Sequence, residues 1–157
     1  MTNELAFRDT HSEDVIAMML SIRHEDRAEL QYATGHEPIV ALRLAIMDSH
    51  ETSTLWCQDS IVAITGLGSL GEIRGVETGC PWMVGSTHID RHQRAFAERS
   101  REQVEHYLKE YEVLLNFVHV KNTRAIRWLE WLGFTMADPV EYGPMGESFI
   151  PFWAEAD

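Results

Sequence analysis

Residues 114–134 constrain the fold of this 157-residue chain more than any other stretch. Residues 113–120 are dense in β-branched, leucine and aromatic side chains, which predicts a strand. Lys121 and Asn122 break that run, and Asn122 is suited to cap a helix through its side-chain oxygen. Ala125, Ile126, Leu129 and Leu132 then recur at helical spacing. Gly133 stops the helix where a left-handed residue is wanted, and Phe134 opens the next extended run.

The rest of the chain supplies partners for this unit. Residues 5–8 read as a first strand. Thr10-x-x-Glu13 has capping-box spacing and predicts a helix from about Ser12, with Val15, Ile16, Met18, Met19 and Ile22 on its apolar face. A second helix runs through residues 24–29 and ends near Thr34-Gly35, and Glu37-Pro38 opens a third. Residues 49–52 read as a polar loop. Residues 55–58 and 61–67 form a hairpin, and Gly66, Gly68 and Gly71 predict a bent or irregular segment through Gly75. Pro81 can only start a strand or sit at its edge, so Trp82, Met83 and Val84 read as a short strand. Residues 90–111 carry Phe96, Val104, Tyr107, Leu108 and Tyr111 at helical spacing. Strand, long helix and strand then form a right-handed crossover with the two strands parallel neighbours. Residues 136–142 and 148–153 close the chain as a hairpin.

Asn122, Ala125, Gly133 and Phe134 match the Asn-x-x-Ala…Gly-Phe pattern near the C-terminus of the GNAT superfamily of N-acyltransferases. With Trp82-Met83-Val84 upstream, the version here most resembles the short GNAT-like proteins of short-tailed bacteriophages, which include internal virion proteins. The resemblance covers roughly residues 81–134. It implies an α/β (α+β) fold, a mixed sheet of six or seven strands with helices on both faces, in a single domain over residues 1–157. It also implies that the fifth strand splays from the fourth and that acyl-coenzyme A, acetyl-CoA in the simplest case, lies in the gap. Trp82, Met83 and Val84 would line its pantetheine, with Asn122 at the neighbouring helix start. The implied acceptor is an amine of a small molecule or a protein, with a phage or host protein as a further partner.

Composition narrows the partners. The formal net charge of −12 repels phosphate backbones and anionic lipid, so neither nucleic acid nor a membrane surface is expected as a partner. No apolar run is long enough to span a bilayer, and the first residues lack the basic region and apolar core of a leader. A phage chain of this kind is expected in the host cytoplasm, or packaged in the virion. Cys57 and Cys80 have no disulfide, metal or nucleophile spacing.

Two departures from the family pattern bear on chemistry. The GNAT family grips the pyrophosphate through a Gly-rich loop at the start of the central helix. Here the corresponding residues 88–94 contain no glycine, so Cβ atoms stand where bare backbone is usual. Arg91, His92 and Arg94 either replace those contacts or form a solvated helix face with partners such as Glu98. The position where the family often has a proton-donating Tyr is Leu129, with Tyr142 as a substitute from a neighbouring strand. Glu29, Glu72, Glu77, His88 and His119 are the candidate bases by type, and spacing singles out none of them. His88 and His92 lie one helical turn apart without a third ligand at recognisable spacing, so no metal site is expected. Trp128, Trp131 and Leu132 share a helix face that is either a partly buried core cover or a protein-binding surface.

Overall fold

In a computed structural model the described residues, 4–157, form eight strands and five α-helices. Residues 1–3, part of the segment expected to lack a leader, lie outside the described residues. The order is β1 (Ala6–Asp9), α1 (Ser12–Ser21), α2 (His24–Thr34), α3 (Pro38–Asp48), β2 (Glu51–Cys57), β3 (Ser60–Ile73) and β4 (Val76–Gly85). A 3₁₀ turn (Thr87–Arg91) leads into α4 (Gln93–Glu110), β5 (Val113–His119) and α5 (Thr123–Trp131). Three strands, β6 (Thr135–Met136), β7 (Val140–Tyr142) and β8 (Glu147–Glu155), close the chain.

The strands form one mixed sheet in the order β1-β2-β3-β4-β5-β8-β6, with β7 also paired to β8. Alternation along β3 and β4 splits the core between the two faces. On one face, Ile64, Val84 and Trp82 pack under Val15 and Met18 of α1 and Leu42 of α3. On the other, Ala63 and Met83 meet Phe96 of α4 and Trp128 of α5, and Leu67, Leu114 and Val118 meet Tyr107 and Leu129. This is the α+β sheet with helices on both faces expected from the resemblance, its eight strands including one of two residues and one of three.

Local differences from the sequence expectations have physical reasons. β2 begins at Glu51, inside the stretch read as loop, because its first residues pair with Gly66 and Leu67 of β3. The glycine-containing segment is strand as far as Ile73, and its irregularity is confined to one bulge between Ser69 and Gly71. Gly66 is needed there for a close approach, since a Cβ would come within 2.3 Å of the Trp82 indole lying across it. The first helix is capped one position later than expected, by the His11 N–H donating to Asp14 Oδ2 at 2.9 Å. The long helix starts at Gln93 rather than Asp90, its first turn being 3₁₀. Pro81 lies within β4 rather than at its start, yet at a point where the strand has lost its neighbour on one side.

That loss defines the architecture. β4 and β5 are parallel neighbours joined through α4, but they pair only at Thr78–Val113 and Gly79–Leu114. Beyond Gly79 they diverge. At the closed end the two strands are tight: a Cβ on Gly79 would come within 2.7 Å of the Tyr111 ring and 3.1 Å of Leu114.

Gly133 ends α5 with φ of +99°. Its N–H donates to the Glu130 carbonyl and that of Phe134 to Leu129, which turns the chain back towards the sheet. No atom lies within 4 Å of where a Cβ would stand, so a substitution here tests backbone conformation alone. Gly133→Val is expected to lower stability by on the order of 1–3 kcal/mol in a denaturant titration. An unchanged midpoint would contradict this geometry.

Candidate functional site

The divergence of β4 and β5 opens a cavity of about 230 Å³. Pro81–Val84 and Asn116–Val118 form its edges, with Glu29, Leu30 and Tyr142 on one face and Phe96, Trp128 and Leu129 on the other. The gap runs through the sheet.

Backbone groups facing such a gap need new partners, because the ladder that would have held them is gone. Successive residues of a strand point their N–H and C=O groups to opposite sides, so Pro81, Met83 and Gly85 face the gap together. Pro81 has no N–H, and its carbonyl accepts from Asn116 Nδ2 at 2.7 Å. The Gly85 N–H donates to Asp26 Oδ2 at 2.6 Å, and its carbonyl accepts from the Arg23 N–H at 3.0 Å. On β5 the Phe117 N–H is taken by Asn116 Oδ1 at 2.8 Å and the His119 N–H by Glu29 Oε1 at 2.6 Å. Among the described residues, Met83 alone of these three β4 positions has no partner for its N–H and C=O towards the gap.

The side chains that plug the gap include two carboxylates. Asp26 is buried beside Arg23, whose Nη1 lies 3.2 Å away, and beside Asn122, whose Nδ2 donates to it at 3.4 Å. Burial still raises its pKa against those partners. Burial likewise pushes Glu29 up to about 7, with the nearby Asp26 charge adding to it and the His119 N–H bond opposing it. Glu29 is therefore poised to exchange a proton near neutral pH.

The other candidate bases are disposed differently. Glu72 and Glu77 pair with each other at the exposed far end of the β3–β4 hairpin, away from the cavity. His88 sits on the 3₁₀ turn. His119 reaches the site, but its Nδ1 accepts from the Lys121 N–H at 3.1 Å and its Nε2 faces Glu147 at 2.9 Å. That arrangement leaves no free lone pair on the ring. Burial pushes the Cys80 thiol up to about 11, so it stays protonated at neutral pH, and Cys57 is buried.

Asn122 occupies the cap position of α5, and its carbonyl accepts from the Ile126 N–H at 3.0 Å. Its side chain makes no cap bond, contrary to the sequence expectation, because the amide turns inward to Asp26. Asn122 Oδ1 and Trp128 Nε1 are, among the described residues, the buried side-chain polar atoms without a hydrogen-bond partner, and both residues line the cavity. Trp128 stacks on Phe96 at 5.4 Å, while Trp131 is half exposed under the Arg101 guanidinium at 4.0 Å. Leu129 is buried. Tyr142 stacks on Phe117 at 4.2 Å, and its phenol is held above its usual pKa, chiefly by burial.

Beside the start of α4 lies a second cavity of about 360 Å³, lined by Arg23, Gln93, Arg124, Arg127, Trp128 and Trp131 among others. Arg124 also pairs with Asp90. Arg91 and Arg94 are exposed and line neither cavity. The basic residues nearest the gap thus come from α5 and from Arg23, which no spacing in the sequence ties to residues 88–94.

A family model described as Bacteriophage T7, probable scaffold protein Gp13, matches residues 60–141, just over half of the chain. The chain belongs to the Gp13 family. Among solved structures, this Gp13-family chain is similar to an aminoglycoside N(6')acetyltransferase from Legionella pneumophila, at TM-score 0.70 and 9% identity over 99% of this chain and 94% of that one. It is similar to a spermidine N-acetyltransferase from Vibrio cholerae in complex with CoA and spermine, at TM-score 0.68 and 13% identity over 99% and 97%. It is also similar to a GCN5-related N-acetyltransferase from Kribbella flavida, at TM-score 0.67 and 12% identity over 96% and 97%. At such identities the likeness establishes the GNAT fold. No curated protein sequence matches the chain.

The Glu29 environment gives a stability signature. An acid whose pKa rises from 4.5 unfolded to about 7 folded binds more protons in the native state between those values. Stability is lost as pH rises through that window and levels off above it. Gln at position 29 keeps the acceptor for the His119 N–H without the charge. Glu29→Gln is therefore expected to gain on wild type by on the order of 2–3 kcal/mol between pH 5 and pH 8, read as the difference in denaturant midpoints. A difference independent of pH would show that Glu29 ionises normally.

Proposed function

We propose that this chain is a GNAT-type N-acyltransferase that uses an acyl-coenzyme A, acetyl-CoA in the simplest case, to acylate an amine of a small molecule or protein. The observation that carries this reading is the gap between β4 and β5, lined from both faces and holding unpartnered polar groups. A pantetheine arm is a run of amides. The free N–H and C=O of Met83, with Trp82 and Val84 fixing the strand on either side, suit one of them, and Asn122 Oδ1 and Trp128 Nε1 offer an acceptor and a donor. The second cavity, where Arg124 and Arg127 stand beside the first N–H groups of α4, suits the pyrophosphate. Arg91 and Arg94 at the exposed helix start add longer-range attraction on an otherwise acidic chain.

A bound acyl thioester supplies an electrophilic carbonyl carbon, whose C–S bond breaks as the amine nitrogen forms the new C–N bond. Glu29 takes the proton that the nitrogen must lose, and its raised pKa matches that task near neutral pH. Tyr142, protonated at neutral pH, gives a proton to the departing sulfur in place of the Tyr that Leu129 replaces. The acidic lining, with Asp26 and Glu29, favours an amine as acceptor.

Two measurements test the roles. Glu29→Gln is expected to lower kcat by about 100-fold or more. The wild-type rate should rise with pH through about 7, and that rise should vanish in the variant. Equal rates would remove Glu29 from the mechanism. Calorimetry with acetyl-CoA is expected to show about 10-fold weaker binding by Arg124→Ala/Arg127→Ala. Arg91→Ala/Arg94→Ala should mainly reduce the salt dependence. Trp128→Phe, which keeps the stack on Phe96, should weaken binding without loss of stability.

A second reading is a non-catalytic scaffold, an internal virion component that engages a phage or host protein. The Gp13 family description, the absence of glycine at the α4 start and Leu129 favour it. Wild-type melting temperature unmoved by millimolar acetyl-CoA would select this reading, because a ligand of the folded state must raise it.

A further inference from the structure

The closed end of the sheet carries a second cluster of titratable groups, none of which lines the gap. His50 and Glu51 stand at the junction of α3 and β2, and His106 and Glu110 lie one helical turn apart on the last turns of α4. His50 Nε2 is 3.2 Å from Glu110 Oε2, and His106 Nε2 is 2.7 Å from Glu51 Oε1. Ligand atoms of His50, Glu51 and Glu110 all lie within 4.8 Å of one another. Ligands at about 2.1 Å from a common ion are separated by roughly 3–4 Å, so modest side-chain rotations complete the set.

We propose that His50, Glu51 and Glu110 bind a divalent first-row transition-metal ion such as Zn²⁺. One imidazole and two carboxylates suit a borderline cation better than Ca²⁺ or Mg²⁺, which prefer oxygen alone. His106 is the outer partner: it holds the Glu51 carboxylate in place, as hydrogen-bonded neighbours of metal ligands commonly do. The side chains of His50 and Glu110 are each 44% exposed, so an ion can enter from solvent. Bound there, it ties the α3–β2 junction to the end of α4. His50 also lies 3.5 Å from the hydroxyl of Tyr111, the residue whose ring covers Gly79. The pair His88 and His92 singled out by spacing is divided between the 3₁₀ turn and the α4 cap and contributes nothing to this cluster.

The test uses the full chain without an affinity tag, stripped with chelator and dialysed. Calorimetric titration with Zn²⁺ is expected to show one equivalent bound, and Co²⁺ to give the visible absorption of a protein-bound ion. His50→Ala and Glu110→Gln should each weaken binding at least 10-fold, and His106→Ala should weaken it several-fold. His88→Ala/His92→Ala should leave it unchanged. Zn²⁺ should raise the melting temperature of wild type but not of His50→Ala, with far-UV circular dichroism showing that each variant folds. No binding at 1 mM Zn²⁺, roughly the weak end of useful affinity, would overturn the proposal. Binding that survives His50→Ala and Glu110→Gln, or that disappears with His88→Ala/His92→Ala, would overturn it equally.

Discussion

Two strands that begin as a ladder and then separate need something else to satisfy the hydrogen bonds they give up. In this chain side chains do so almost completely. Asn116 bridges Pro81 and Phe117, Asp26 takes the Gly85 N–H, and Glu29 takes the His119 N–H. Each substitution of side chain for strand fixes one point along the gap. The cavity exists because these residues hold the edges apart and because Pro81 offers no donor for re-pairing.

Satisfying the backbone in this way places acids inside the protein. Asp26 is stabilised by Arg23, Asn122 and an amide N–H, yet burial still outweighs them in its pKa. Glu29 has an amide N–H against a negative neighbour, and burial raises it to about 7. The same carboxylate that closes a backbone bond is thereby left able to exchange a proton near pH 7. A structural requirement and a capacity for proton exchange thus coincide in one residue. His119, the obvious candidate by type, is instead locked by Lys121 and Glu147.

Much of the fold was legible because its signals are local. The strand–Asn122–helix–Gly133 unit, the three early helices and the parallel pair around α4 follow from periodicity, caps and one handedness rule. The site was less legible because its contacts are not local: His119 meets Glu29 across 90 positions and Asn122 meets Asp26 across 96. No spacing marks such pairs. Asn122 shows the difference within one residue, since its position at the helix start was readable and the direction of its amide was not. Gly66 was misread for another reason. A glycine inside a strand signals either loosened backbone or a close neighbour, and the neighbour, Trp82, comes from the next strand. The bonding of Trp82 Nε1 to Ser49 Oγ at 2.7 Å confirms how firmly that ring is seated.

The tight vertex at Gly79 has a mechanical meaning. From Gly79 to Gly85 β4 runs about 20 Å with no strand partner on the β5 side, while the pairing at its base spans two residues. β4 is held there by β3 and β5 by β8, so the two-residue pairing at the base fixes where the two halves of the sheet begin to part. The close approach of the Tyr111 ring to Gly79 sits at that vertex, outside the cavity lining, and a side chain at position 79 would force the strands there apart. Substitutions at this vertex can therefore change the aperture while every residue lining the gap stays the same.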